Sequence, residues 1–466
     1  MHSFHDDPGA APTMAVEHPK RWRRLAAGMA IAALVAACGD SDDDKVVAEE
    51  PPPAPIPAPI PAPAPAPAPA VHLAGAADSV ALPAAQLDAL VAQSTAAGLA
   101  GATRCDVLIV SMDYRTVAAD GATPALASGA VMIPGGPSCP GPYPLVAYSR
   151  GTDLDQTRSM ATPGDDEASL VAALLAGQGF IVAATDYLGY ARSDQPFHPY
   201  LHAASAATSN VDALRAAREL ASQRDVALDG RVFVTGYSQG GHASMATQKL
   251  MEASLGGEFT LVGAGHMSGP YDLAGSVMTS VERLPVGELG STYYVPFAVT
   301  SFQRLYGNLY ASPSEFFESP YDQTVETLFP GPAGTELEDL LLDGRLPLLL
   351  DSLVTDAFVA AAEDPTSALR AALALNSPID FVPRASTLLC GGSADPVVNF
   401  GNTERALAAF QTAGAPVAAF DVENEPAYAG LLRDDALPVE LDTGYHASRV
   451  PPLCLLQVRQ HFLALP

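Results

Sequence analysis

Two rhythms of apolar positions alternate along the chain from Cys105 onward. One is a short run that is apolar at nearly every position, the signature of a strand buried on both faces. Cys105 to Met112, Leu126 to Ile133, Leu145 to Tyr148, Phe180 to Thr185, Arg231 to Thr235, Phe259 to Gly265, Ser386 to Cys390 and Val417 to Phe420 have this character. The other places apolar residues three and four apart, as one face of a helix requires. It predicts helices over Ala84 to Ala97, ahead of the sheet, and Glu167 to Ala176. Further helices are predicted over Val211 to Ala221 behind a Ser209/Asn210 cap, Ala243 to Ala253, Thr403 to Ala413 and Val450 to Leu465. A turn at Asp120-Gly121 makes the first two strands an antiparallel start. After it, strands and helices alternate, which implies an α/β fold with a mostly parallel sheet and helices on both faces.

Between Asp272 and Ala385 the alternation stops. The stretch is rich in aromatics (Tyr293, Tyr294, Phe297, Phe302, Tyr306, Phe316), then shows helical patterns around Leu340 to Leu353 and Ala357 to Leu375. Pro347 and Pro365 should end or kink those helices. A structureless loop of this length does not fit a compact domain. Residues 273–384 therefore read as a mainly helical cap inserted into a core made of 76–272 and 385–466. Its aromatics either fill the cap's own interior or line an apolar acyl or alcohol pocket.

The predicted strand at Arg231 breaks into Gly236-Tyr237-Ser238-Gln239-Gly240-Gly241-His242 and a helix follows. That is the strand–turn–helix setting of a Gly-x-Ser-x-Gly nucleophile elbow. A serine hydroxyl needs an imidazole to take its proton and a carboxylate to orient that imidazole. The chain order in such sheets is serine, acid, histidine. Asp395 ends Gly391-Gly392-Ser393-Ala394-Asp395 just after a predicted strand, and only His446 and His461 lie beyond it. His446, in a loop after Thr443-Gly444-Tyr445, is the candidate base; His461 falls in the terminal helix. Two N–H donors must meet the oxyanion, each worth ~3 kcal/mol of barrier. Gln239 supplies one and Thr152 of Arg150-Gly151-Thr152 is the choice for the other, with Gly151 and Asp153 left open. Asp186 precedes the serine, the wrong order for the acid, and is assigned a structural role. No His-Glu-x-x-His, clustered ligand set or phosphate loop occurs, so neither metal nor cofactor is expected.

Taken together, Tyr148-Ser149-Arg150-Gly151-Thr152, Asp186-Tyr187-Leu188-Gly189-Tyr190, the segment around Ser238, Ser268-Gly269-Pro270-Tyr271-Asp272 and Gly391 to Asp395 resemble the secretory lipase group of α/β-hydrolases. The resemblance implies a Ser-Asp-His hydrolase of carboxylic esters with a helical cap between the nucleophile and acid strands. Some members of the group also transfer acyl groups to alcohols. Arg150 departs from the pattern, standing where a histidine is common before the oxyanion glycine. Two other readings compete: a serine peptidase or polyester/feruloyl-type hydrolase on the same fold, and a non-catalytic surface binding lipoprotein.

The first 75 residues add a location. Lys20, Arg21, Arg23 and Arg24 precede an apolar stretch, Leu25 to Ala37, too short for a stable membrane anchor. Leu34-Val35-Ala36-Ala37-Cys38 resembles a bacterial lipoprotein signal, which implies cleavage after residue 37 and lipidation of Cys38; an ordinary secretory signal is the alternative. Residues 38–75 then form an acidic and Pro/Ala-rich linker, a stiff polyproline spacer. Export to the outer membrane or cell surface follows, with attachment through the lipidated N-terminus; a soluble secreted or periplasmic form is the other possibility. The formal net charge of −28 argues against nucleic acid as a partner, and none is expected. An ester is the expected substrate and a monomer the expected state. Cys105, Cys139, Cys390 and Cys454, even in number in an exported chain, favour two disulfides. The pairs 105–139 and 390–454 close the shorter loops.

Overall fold

A computed structural model of the chain describes residues 71–284, 290–433 and 442–466. The expected signal, Cys38 and nearly all of the linker lie outside the described residues. The elements run β1 (Leu73–Leu82), α1 (Ala84–Val91), β2 (Asp106–Val117), β3 (Pro124–Gly135), β4 (Tyr143–Ser149), α2 (Asp166–Leu174), β5 (Ile181–Thr185) and α3 (Ala203–Gln223). They continue with β6 (Leu228–Tyr237), α4 (Gln239–Ser254), β7 (Thr260–Met267), α5 (Leu273–Glu282), α6 (Ser291–Tyr306), α7 (Leu337–Leu342), α8 (Asp356–Glu363) and α9 (Ala368–Leu375). The chain closes with β8 (Ser386–Gly391), α10 (Gly401–Thr412), β9 (Val417–Asp421) and α11 (Val450–Ala464).

The strands form one nine-stranded sheet in the order β1-β2-β3-β5-β4-β6-β7-β8-β9. Pairing is antiparallel from β1 through β3 to β5 and parallel from β5 to β9. The β2–β3 turn forms where expected, because the Asp120 carboxylate accepts the N–H groups of Ala122 and Thr123 and Gly121 takes φ +71°. One face of the sheet packs on α1, α2 and α11 through Leu87, Val171, Leu453 and Phe462. The other packs on α3 and α4 through Leu214, Leu220 and Met251. Strands with a helix layer on each side have no solvent face, which is why β5 is buried throughout and reads as a continuous apolar run.

Some expected boundaries move. β1 precedes α1, and it begins at Leu73, inside the expected linker. As an edge strand of small residues with half its side chains in water, it has neither an apolar run nor clean alternation. α3 starts at Ala203, capped by His202, whose Nδ1 accepts the Ser205 N–H. Ser209 and Asn210 are therefore not a cap but buried mid-helix residues. Their polar groups are satisfied by Tyr114 of β2 for Ser209, and by Ser149 of β4 and Thr247 of α4 for Asn210. The helix expected over Leu340 to Leu353 stops at Leu342, where Gly344 turns left-handed (φ +68°), before Pro347 is reached. Pro365 does separate α8 from α9.

α5 to α9 lie between β7 and β8 and gather an apolar cluster that includes Phe297, Phe302, Phe317, Leu340 and Phe358. Most of the aromatics fill this cluster. Both disulfides join the cysteines paired above by loop length, Cys105 to Cys139 and Cys390 to Cys454.

Candidate active site

Ser238 sits between β6 and α4 at φ +58°, ψ −120°, a conformation costly for a residue with a Cβ. The crowding that enforces this turn is visible at its glycines. A methyl on Gly236 would stand 2.3 Å from the Gly240 carbonyl oxygen, and one on Gly240 would stand 1.8 Å from that of Ser149. The elbow thus rests against the end of β4, and the hydroxyl rises at the carboxyl edge of the parallel strands, where such sheets bind ligands.

Asp395 lies on the loop after β8. Its Oδ1 accepts the N–H groups of Val397 and Val398 at 2.9 and 3.0 Å, which fixes the carboxylate and leaves Oδ2 for the imidazole of His446, 2.7 Å from Nδ1. The Nε2 of His446 is 2.9 Å from the Ser238 Oγ. A carboxylate can only accept, so Nδ1 carries the proton and Nε2 is left to receive the serine's. His446 is not in the loop expected for it. It stands in a π-helical turn, Tyr445–Arg449, that runs straight into α11. The Tyr237 hydroxyl donates to the His446 carbonyl oxygen at 2.7 Å, and Cys390–Cys454 ties β8 to α11 on either side of the pair.

The remaining candidates separate by what already engages them. The Gln239 N–H lies in the first turn of α4, where a helix leaves its donors without internal partners. The Gly151 N–H is taken by Glu167 Oε1 at 2.9 Å, so Gly151 is withdrawn as a donor. The Thr152 hydroxyl is 2.9 Å from the Tyr200 hydroxyl. Asp186 is fully buried and accepts from Ser128, Ser159 and the Met160 N–H, a structural knot whose burial pushes its carboxyl above the usual range. The His242 ring faces the Asn376 carbonyl at 2.6 Å, and the His461 ring the Ser386 carbonyl at 3.2 Å; neither ring bonds the Ser238 hydroxyl. Among the described residues no cluster of three or more His, Cys, Asp or Glu could hold a metal ion.

His198 escaped the sequence reading. Its Nδ1 is 2.9 Å from the Leu188 carbonyl, and burial lowers its pKa to about 3, so the ring is neutral with its proton on Nδ1. Nε2 then accepts from the Gln239 side-chain amide at 2.7 Å and holds the residue next to Ser238. No local pattern marks His198, because the contact joins the loop after β5 to the elbow after β6. A mainly apolar pocket opens at Ser238, walled by Tyr200, Leu273, Val277, Tyr294, Val295 and Ala298.

The mostly parallel sheet, with a serine on a strand–helix elbow and an imidazole and carboxylate in line behind it, has the architecture of an α/β-hydrolase. A model of the family described as secretory lipase matches residues 156–287. The rice cell wall degrading esterase LipA from Xanthomonas oryzae, in a ligand-bound form, is 32% identical, with 83% of this chain and 97% of that one covered and a TM-score of 0.73. A second LipA structure superposes with a TM-score of 0.74 at the same identity, over 84% of this chain and 98% of that one. A Legionella pneumophila protein, 20% identical, shares the fold over 84% of this chain and 98% of its own, with a TM-score of 0.70. No curated protein matches the chain. The chain belongs to the secretory lipase family and is a serine ester hydrolase.

Proposed function

We propose that the protein hydrolyses carboxylic esters through an acyl-enzyme formed on Ser238, with His446 as general base and acid and Asp395 orienting it. The observation that carries this reading is the pair of distances, 2.9 Å from Ser238 Oγ to His446 Nε2 and 2.7 Å from Nδ1 to Asp395. Ser238 Oγ attacks the ester carbonyl carbon as its proton passes to Nε2. The oxyanion is met by the N–H groups of Gln239 and Thr152. The C–O bond breaks as Nε2 returns the proton to the leaving alcohol, and the acyl group stays on the serine. A water, deprotonated by the same nitrogen, then attacks the acyl carbon and frees the acid and Ser238.

The apolar walls contributed by α5 and α6 suit an acyl chain, and residues 273–384 act as the cap over it. We place the enzyme outside the cytoplasm as a monomer tethered through a lipidated Cys38 and the Pro/Ala-rich linker. Two disulfides and the secretory lipase family support export. Ser238→Ala should lower kcat on p-nitrophenyl esters by on the order of 10⁵-fold or more with the fold intact. Turnover near the parent rate in that variant would end the proposal. Cys38→Ser should move the protein from the membrane to the soluble fraction; unchanged membrane association would remove the anchor from the account.

A further inference from the structure

Arg150 is fully buried, a costly position for a guanidinium, and among the described residues it forms no ion pair with a carboxylate. Its Nη1 donates to the Gly151 carbonyl at 2.9 Å and its Nη2 to the Asp186 carbonyl at 3.2 Å, while its Nε finds no acceptor. The guanidinium lies 4.2 Å from the centre of the Tyr190 ring and 5.4 Å from that of Tyr187. Apart from Gly151, which follows β4, these neighbours follow β5. In the sheet, β4 stands between β5 on one side and β6, which carries Ser238, on the other.

The Gly151 carbonyl and the Thr152 N–H belong to one planar trans peptide, so they point in opposite directions. With the oxygen held by Arg150, the N–H leaves the peptide on the opposite edge. The neighbouring groups are pinned as well: the Gly151 N–H by Glu167 and the Thr152 hydroxyl by Tyr200. A charged donor on the oxygen also draws electron density from the amide, which strengthens the N–H as a donor in a site of low dielectric.

We propose that Arg150 is a positioning residue for ester hydrolysis: its buried guanidinium fixes and polarises the Gly151–Thr152 peptide so that the Thr152 N–H faces the oxyanion. The proposal rests on the Ser238 acyl-enzyme reading. It gives a reason for a buried cation beneath the site that forms no ion pair among the described residues. Arg150 touches neither substrate nor reacting atoms; it acts through one peptide bond.

The test compares an ester with its thionoester, in which sulfur replaces the carbonyl oxygen and accepts N–H hydrogen bonds poorly. Arg150→Gln should lower kcat on the oxygen ester by about 10- to 100-fold, less than loss of a whole oxyanion donor, with KM nearly unchanged. The oxygen-to-sulfur rate ratio should fall by a similar factor. Arg150→Lys, which keeps a cation, should recover part of both. Equal losses on the two substrates, or no loss, would overturn the proposal. If the Arg150 variants do not fold, Glu167→Ala releases the adjoining Arg150–Gly151 peptide, from which the Gly151–Thr152 plane takes its orientation, and must lower the same ratio; an unchanged ratio in that folded variant also overturns the proposal. The underlying reading fails separately: wild-type protein that a fluorophosphonate does not label, or an active Ser238→Ala variant, indicts the triad and not Arg150.

Discussion

At Gly240 there is no room for a side chain, since a Cβ would press to 1.8 Å from the Ser149 carbonyl oxygen. Gly240→Ala must separate β4 from the elbow or unwind the turn, and either should cost roughly 3 kcal/mol or more. Urea denaturation should show a large drop in midpoint; a variant as stable as its parent would contradict the crowding. The elbow that carries Ser238 was legible in the sequence because everything it needs is local: strand, glycines, serine and helix are contiguous. Asp395 and His446 were singled out by chain order alone, and the fold brings both side chains into line with Ser238. Arg150, Glu167 and His198 could be seen as residues but not for what they do. Their partners are neighbours only because β4 lies between β5 and β6, an order that no stretch of sequence states.

Among the elements, the β4, β5 and β6 runs were readable because helices cover both faces of the sheet, whereas β1 was missed because an edge strand of small residues carries little pattern. The insertion between β7 and β8 was recognisable as a break in rhythm, and its aromatics as either core or pocket; most proved to be core, with Tyr294 on the pocket wall. α5 and α6 bring Val277 and Ala298 to that wall. Ala298→Phe should therefore lower kcat/KM for long-chain esters by about tenfold relative to acetate esters. An unchanged chain-length profile would move the acyl site elsewhere. The Cys390–Cys454 link spans 64 residues and joins the strand before Asp395 to the helix after His446. Removing it with Cys390→Ala/Cys454→Ala should cost up to about 4 kcal/mol by loop entropy and lower activity as well as melting temperature. Loss of stability with full activity would show that the clip does not set the acid–base geometry.

Across the whole molecule, His198, His202, His242 and His266 are buried, and burial lowers each pKa from 6.5 to about 3 or 4. Each is neutral when folded and takes up a proton on unfolding, so below pH 6.5 the unfolded chain binds more protons and stability falls with pH. Each imidazole contributes at most roughly 1.4 kcal/mol per pH unit within that window. Asp186, with its carboxyl pushed up, acts in the opposite direction. Between pH 6.5 and about 5, above the range where most carboxylates titrate, the histidines should dominate. The urea midpoint should fall steadily across that interval, and a flat profile would contradict neutral buried rings. The account as a whole turns on the hydroxyl at 238, and mass spectrometry of fluorophosphonate-treated protein addresses it most directly. A single adduct mapping to Ser238, absent from Ser238→Ala and slowed by on the order of 10³-fold or more in folded His446→Ala, is the predicted result. An adduct on another residue, or equal labelling without the imidazole, would contradict it.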